Sequence, residues 1–105
     1  MERIWRRYAN EPSVHLFESD DDAVLVAACK PAEDGDGVIL RVRECDGSYV
    51  RARVRCGGRM RAAECVDGLE RSASGDAGID AESLVFDLSP YALRSFRIRF
   101  SEIRP

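Results

Sequence analysis

Eight residues, "KPAEDGDG" at 30–37, gather three carboxylates and two glycines directly behind an apolar run. Three kinds of chemistry use such a cluster. Hard cations such as calcium take several oxygen ligands, and D-x-D-G, present here at 34–37, forms part of calcium loops. Paired carboxylates at a set separation hydrolyse glycosides when a pocket holds the sugar between them. The same residue types also make a tight turn, because Gly and Asp tolerate the backbone conformations that turns need. The calcium reading lacks its closing glutamate and its flanking helices. Neighbouring carboxylates on a hairpin tip are solvated and have no pocket. The residues by themselves therefore read as a strand connection, with Glu33 or Asp34 free to touch a neighbouring surface.

The other candidates are weaker. "DDD" at 20–22 offers three carboxylates, but consecutive residues on an extended chain point in alternating directions, and a polar turn is expected. Cys29, Cys45, Cys56 and Cys65 form no CxxC pair, so a zinc ribbon or a redox motif is not expected. Each lies in or beside a strand-like run, where a small buried thiol is the ordinary explanation, and a disulfide stays open. His15 is the single histidine, which rules out a multi-histidine metal centre within the chain, and a strand surface is its expected place. Fifteen arginines stand against one lysine, many at alternate strand positions. A phosphate- or nucleic-acid-binding face is one reading. A solvated face with cross-strand pairs to Glu44, Glu64, Asp87 and Glu102 is the other, and the net charge of −3 favours it.

The elements that must position these residues are strands. "GVILRVRE" places Val38, Leu40 and Val42 on one face and Ile39, Arg41 and Arg43 on the other. "YVRARVRC" turns Val50, Ala52, Val54 and Cys56 inward and Arg51, Arg53 and Arg55 outward. "SLVFDL" and "SFRIRF" alternate in the same way, with Leu84, Phe86 and Leu88 in one and Phe96, Ile98 and Phe100 in the other. Period-two alternation marks antiparallel strands with one buried face. "AVLVAAC" at 23–29 is apolar on both faces and predicts a central strand, while "SVHLF" (13–17) and "RMRAAECV" (59–66) are weaker strands. "DGDG", "DGS" (46–48) and "GG" (57–58) separate adjacent strands at hairpin spacing, and the polar stretch 71–82 predicts a flexible crossing between sheets. About seven short strands so spaced predict an all-β fold, a single antiparallel β-sandwich. Only the first dozen residues have helical character, with Ile4, Trp5 and Tyr8 on one face, giving a short N-terminal helix or a linker over 1–12 and the sandwich domain over 13–105.

With 105 residues, 45% hydrophobic and 33% charged, the chain suits one soluble domain with one modest core. No apolar run approaches the ~18 residues of a membrane span, and "MERIWRRYANEP" has no apolar segment behind its charges, so no signal peptide is read. A cytoplasmic protein with neither a nucleic-acid nor a membrane partner is expected.

Taken in order, the segments resemble one family. "AVLVAACKPAEDGDGVILRVRECDG" (23–47) is similar to the C-terminal β-sandwich segment of family 38 glycoside hydrolases, the α-mannosidases. "AAECVDGLER" (62–71) resembles that family's strand followed by "LLER", with Gly68 where an aliphatic residue is usual. "LVFDLSPYALRSFRIRF" (84–100) resembles its closing pair of strands. The resemblance covers about residues 13 to 101 and implies a part of a large, retaining, zinc-dependent enzyme. The nucleophile and zinc ligands of that enzyme belong to a separate catalytic domain, so no catalytic residue, metal ligand or cofactor is carried over to this chain.

The resemblance then implies an accessory domain that packs on an α-mannosidase catalytic domain, in cis or in trans. Lys30, Glu33, Asp34 and Asp36 would lie at the interface or the substrate rim. A second expectation is a mannoside-binding module, for which Tyr49 and Tyr91, with Trp5 and Tyr8, are the stacking candidates, scattered along the chain. A third is a stand-alone protein-interaction domain that kept the fold.

Overall fold

A computed structural model describes residues 17–101, and among them it contains eight strands and no helix. The strands are β1 (Phe17–Ser19), β2 (Val24–Pro31), β3 (Val38–Glu44), β4 (Val50–Cys56), β5 (Met60–Val66), β6 (Gly78–Asp80), β7 (Ser83–Leu88) and β8 (Leu93–Phe100). They form two antiparallel four-stranded sheets, β1-β4-β7-β6 and β2-β3-β8-β5. This is the expected all-β sandwich, with eight strands instead of about seven. The extra strand, β6, lies within the stretch 71–82, which does cross from the second sheet to the first. The expected N-terminal helix, Trp5, Tyr8 and His15 fall outside the described residues.

The core follows from the alternation. Leu40 and Val42 of β3, Val54 of β4, Leu84 and Phe86 of β7, and Phe96 and Ile98 of β8 are fully buried between the sheets. Each such side chain contributes ~1.5–3 kcal/mol by leaving water. Phe86 and Phe96, one from each sheet, meet with ring centroids 4.4 Å apart. The Arg94 guanidinium lies 5.0 Å from the Phe96 ring centre and donates to the Asp87 carbonyl, closing the core with a cation held on an aromatic face.

Three expectations about position are corrected. The strand at 23–29 is not central: β2 is an edge strand, and its outward Leu25 is exposed. The central strands of that sheet are β3 and β8, so apolar residues on both faces of β2 marked an outer surface left partly bare. A register shift between Val26 and Ala28 bends β2, a common device at sheet edges.

The turns "DGS" and "GG" do not join hairpin partners. β3 and β4 lie in different sheets, as do β4 and β5, so both turns are arches across the sandwich. Only "DGDG" closes a hairpin, between β2 and β3. Turn residues specify reversal of the chain but not whether the next strand pairs beside its predecessor or across from it.

Ile39, expected outside with Arg41 and Arg43, is buried with Ala32 and Val66 in a small second cluster on the outer face of the second sheet. What covers it is the site described next.

Candidate functional site

Cross-strand register sets a row of side chains across the outer face of the second sheet: Lys30 on β2, Ile39 on β3, Arg97 on β8 and Glu64 on β5. Two loops fold over this row. One is the β2–β3 connection carrying Glu33, Asp34 and Asp36. The other is the turn at 67–71 that follows β5.

Each loop organises itself through a carboxylate. Asp34 Oδ1 accepts the Asp36 N–H at 3.0 Å, and the Gly37 carbonyl accepts the Ala32 N–H at 3.0 Å. Asp67 Oδ1 accepts the N–H groups of Leu69 and Arg71, at 2.8 and 3.0 Å. These are the short-range hydrogen bonds that suit Asp to turns.

The sheet then holds the loops down. Arg97 is 6% exposed, and its guanidinium donates to Asp34 Oδ1 at 2.9 Å, to the Asp36 carbonyl at 2.6 Å and to the Glu70 carbonyl at 2.9 Å. Arg99 grips the Asp36 carboxylate through Nε and Nη2. Glu70, its side chain 9% exposed, binds the Lys30 ammonium and accepts the Glu33 N–H at 2.8 Å. Glu64 stands beneath both arginines, 3.6 Å from Arg97 and 3.3 Å from Arg99.

The electrostatics follow from these contacts. The Asp36 N–H, and after it Arg97, hold the Asp34 carboxyl below its ordinary value. Arg99 does the same for Asp36, and Lys30 for Glu70. The Glu70 hydrogen bond in turn raises the Lys30 ammonium. A general acid needs the opposite, a carboxyl pushed up towards neutrality. These carboxylates are stable anions bound to cations and N–H groups, and their chemistry is that of a clamp.

A second carboxylate organises the far end of the sandwich. Glu44 closes β3 with its side chain fully buried. Its oxygens accept the N–H groups of Asp46, Gly47 and Ser48 in the β3–β4 arch and of Tyr91 in the β7–β8 arch, at 2.7–3.1 Å. Burial is the largest influence on this carboxyl and pushes it up, but the four N–H groups together outweigh it and hold it below the ordinary value. Tyr91 has φ 57°, and its ring stands so close to Gly47 that a Cβ there would lie 2.8 Å from the phenol oxygen. Tyr49 and Tyr91 project from this end, 80% and 69% exposed.

The residues singled out from sequence therefore divide. Lys30, Asp34 and Asp36 turn inward into the clamp, while the Glu33 side chain stays 85% exposed and pairs with Lys30 at 3.5 Å. Tyr49 and Tyr91 lie at the opposite end of the sheet, on neighbouring arches. The Asp20–Asp22 stretch is a turn, with Asp21 Oδ1 accepting the Ala23 N–H at 2.8 Å. Among the described residues no group of three or more His, Cys, Asp and Glu could hold a metal ion.

All four cysteines are free, Cys45 exposed, Cys29 half-buried, and Cys56 and Cys65 buried. Burial pushes the Cys29 thiol up to about 12 and the Cys56 thiol up to about 11, so neither supplies a thiolate ligand or nucleophile near neutral pH.

The arginine ladder of β4 is a solvated, paired face: Arg51 with Asp76 and Asp87, Arg53 with Asp80, Arg55 with Glu18. Glu44, expected among such partners, binds backbone N–H groups instead. Its parity with Leu40 and Val42 turns it into the sandwich, where no arginine of the outer face reaches. Sequence reading also missed Arg97, Arg99 and Glu70 as loop holders. Their types were visible, but the contacts span 27 to 63 residues of chain, and only the fold closes that distance.

Both clamped loops lie within one matched stretch, and Arg97 and Arg99 follow directly after it. A family model described as the glycosyl hydrolases family 38 C-terminal beta sandwich domain matches residues 23–96. The chain belongs to that family. No curated protein and no solved structure matches it. For this family 38 domain, the match begins at the entry to β2 and ends in β8, so it takes in both clamped loops and the Glu44 arches.

Proposed function

We propose that this family 38 domain is a non-catalytic accessory part of an α-mannosidase-type glycoside hydrolase, packing on the catalytic part and supporting it. The observation that carries this reading is the clamp. Asp34, Asp36 and Glu70 are bound by Arg97, Arg99 and Lys30 and held as anions. Such a group stiffens a surface and supplies no acid, base or nucleophile. Of the four loop residues expected at an interface or substrate rim, the geometry leaves Glu33 as the one placed to reach outward, with Lys30, Asp34 and Asp36 fixing its loop.

The test is the complete enzyme with and without this domain, followed by thermal inactivation and by hydrolysis of an aryl α-mannoside. The expected result is a less stable enzyme without the domain and no turnover by the 105-residue chain alone. Unchanged stability and activity on deletion would overturn the accessory role, and turnover by the isolated chain would overturn the non-catalytic one.

A second reading has its own support. Tyr49 and Tyr91 are exposed on adjacent arches tied by Glu44, and exposed aromatic faces suit stacking on the apolar faces of sugars. A titration with α-linked mannobiose, followed by amide NMR, separates the two readings.

A further inference from the structure

The surface of the sandwich is uneven in how its charges are met. The outer face of the first sheet is a ladder of ion pairs through Arg51, Arg53 and Arg55. The hairpin end of the second sheet is covered by the two clamped loops. The arch end of that same face has neither.

There Leu25 of β2, Arg43 of β3 and Leu93 of β8 form one outward row, both leucines about half exposed. Arg41 and Ser95 follow in the next row. Among the described residues no carboxylate pairs with Arg43 or Arg41, although their counterparts on β4 are paired. The nearby turns carry Asp22 and Asp46, but neither comes within ion-pair distance of the two arginines. Beside the row lies a groove of about 390 Å³, lined by Arg41, Leu93, Ser95, Val66, Asp67 and Ser74 among others. The Asp67 carboxylate is already occupied by Leu69 and Arg71. Arg94, also in the lining, is held by Asp76 and by the Asp87 carbonyl, so Arg41 is the charge left to meet an occupant of the groove. Tyr49 and Tyr91 stand at the same end, on arches fixed by the buried Glu44.

We infer that this end is the seat of the domain on its protein partner. The occupant is a surface of the family 38 catalytic part that places carboxylates among apolar side chains. One carboxylate would sit over Arg43 between the two leucines, and an acidic side chain would enter the groove against Arg41. Charge complementarity decides the class. Unpaired guanidinium groups framed by leucine and tyrosine have the anatomy of a protein interface, in which arginine and tyrosine carry much of the affinity. A second copy of this chain would bring arginine against arginine. A neutral sugar would leave the leucines and guanidinium groups unmatched. The inference rests on the accessory reading proposed above and names its surface.

The experiment combines the 105-residue chain with the separately produced family 38 catalytic part from the same genome. Deuterium exchange is followed with and without that partner. The expected result is protection at residues 24–26, 43–49 and 89–95, with Leu93→Glu and Arg43→Glu each weakening association at least roughly tenfold. Both side chains are surface residues, and an unchanged amide spectrum for each variant confirms the fold. Arg53→Ala, on the outer face of the first sheet, should leave affinity unchanged.

A complex that protects residues 32–37 or β6 instead would overturn the seat and leave the accessory reading standing. No complex at all would overturn both. Saturable shifts at Tyr49 and Tyr91 with α-linked mannobiose, or a dimer in sedimentation that Leu93→Glu abolishes, would overturn it in favour of a sugar or a second copy.

Discussion

Glu44 Oε1 accepts the Tyr91 N–H at 2.9 Å across 47 residues of chain, and the same oxygen accepts the N–H of Gly47 at 2.7 Å. One buried carboxylate therefore joins two arches that cross the sandwich at different points. The bonds also settle donors that would otherwise be left unpaired where the chain leaves each strand, a costly state for buried backbone.

Glu44→Gln should loosen both arches together. The amide has one acceptor oxygen in place of two and loses the charge that strengthens four hydrogen bonds. Amide exchange at Gly47, Ser48 and Tyr91 is expected to rise roughly tenfold or more, as losing about one hydrogen bond implies. Exchange in the 67–71 turn should stay unchanged. Unaltered exchange at Tyr91 would mean that the arches are held by packing alone.

Two arginines of similar appearance should differ sharply. Arg97 is buried and holds two loops, so Arg97→Ala is expected to destabilise by about 2–4 kcal/mol, because it strips partners from Asp34 and two carbonyls. Arg53 forms an exposed pair with Asp80, and Arg53→Ala should cost less than about 1 kcal/mol. Urea denaturation of both variants checks the contrast, and equal losses would deny the clamp its special role.

The clamp should also contribute to both pH limits of stability. The Asp34, Asp36 and Glu70 carboxyls lie lower in the folded chain than in the unfolded one. Their contribution is present above the unfolded values of about 4 and is lost as pH falls through the folded values. Lys30 is shifted upward, so its contribution is complete below about pH 10 and is lost as pH rises through its folded value. Glu70→Gln should flatten both limbs of a melting-temperature profile, and a parallel downward displacement at every pH would contradict the linkage.

Gly35 and Gly37 both have positive φ, 78° and 86°, but their surroundings differ. A Cβ on Gly35 meets open space, whereas one on Gly37 would lie 2.5 Å from the Ile98 carbonyl oxygen. Gly35→Ala should cost about 1–2 kcal/mol, the usual strain of a left-handed alanine. Gly37→Ala should cost about 2–4 kcal/mol and disturb β8 as well. Equal thermal shifts would show that the close approach relaxes freely.

Much of the strand pattern was legible because alternation reports burial directly. Leu40, Val42, Phe86, Phe96 and Ile98 are buried as their parity demanded. Parity also pointed Glu44 inward, a signal outweighed by its expected pairing with arginine. Ile39 ran the other way. Its parity is outward and correct, yet it is buried, because the β2–β3 connection and the 67–71 turn fold over it. Tyr49 and Tyr91 were singled out as stacking candidates and are exposed, but nothing local announced that one carboxylate ties their two arches together.

The sequence by itself determined most of the strands, the all-β class and the family resemblance, because side-chain alternation and turn chemistry act over a few residues. The tertiary structure alone decided which strands are edges, which turns are arches, and that "AEDGDG" is clamped by Arg97 and Arg99. It also decided that Leu25, Arg43 and Leu93 share one bare row. These depend on contacts between residues tens of positions apart, and such contacts exist only once the two sheets have closed on their common core.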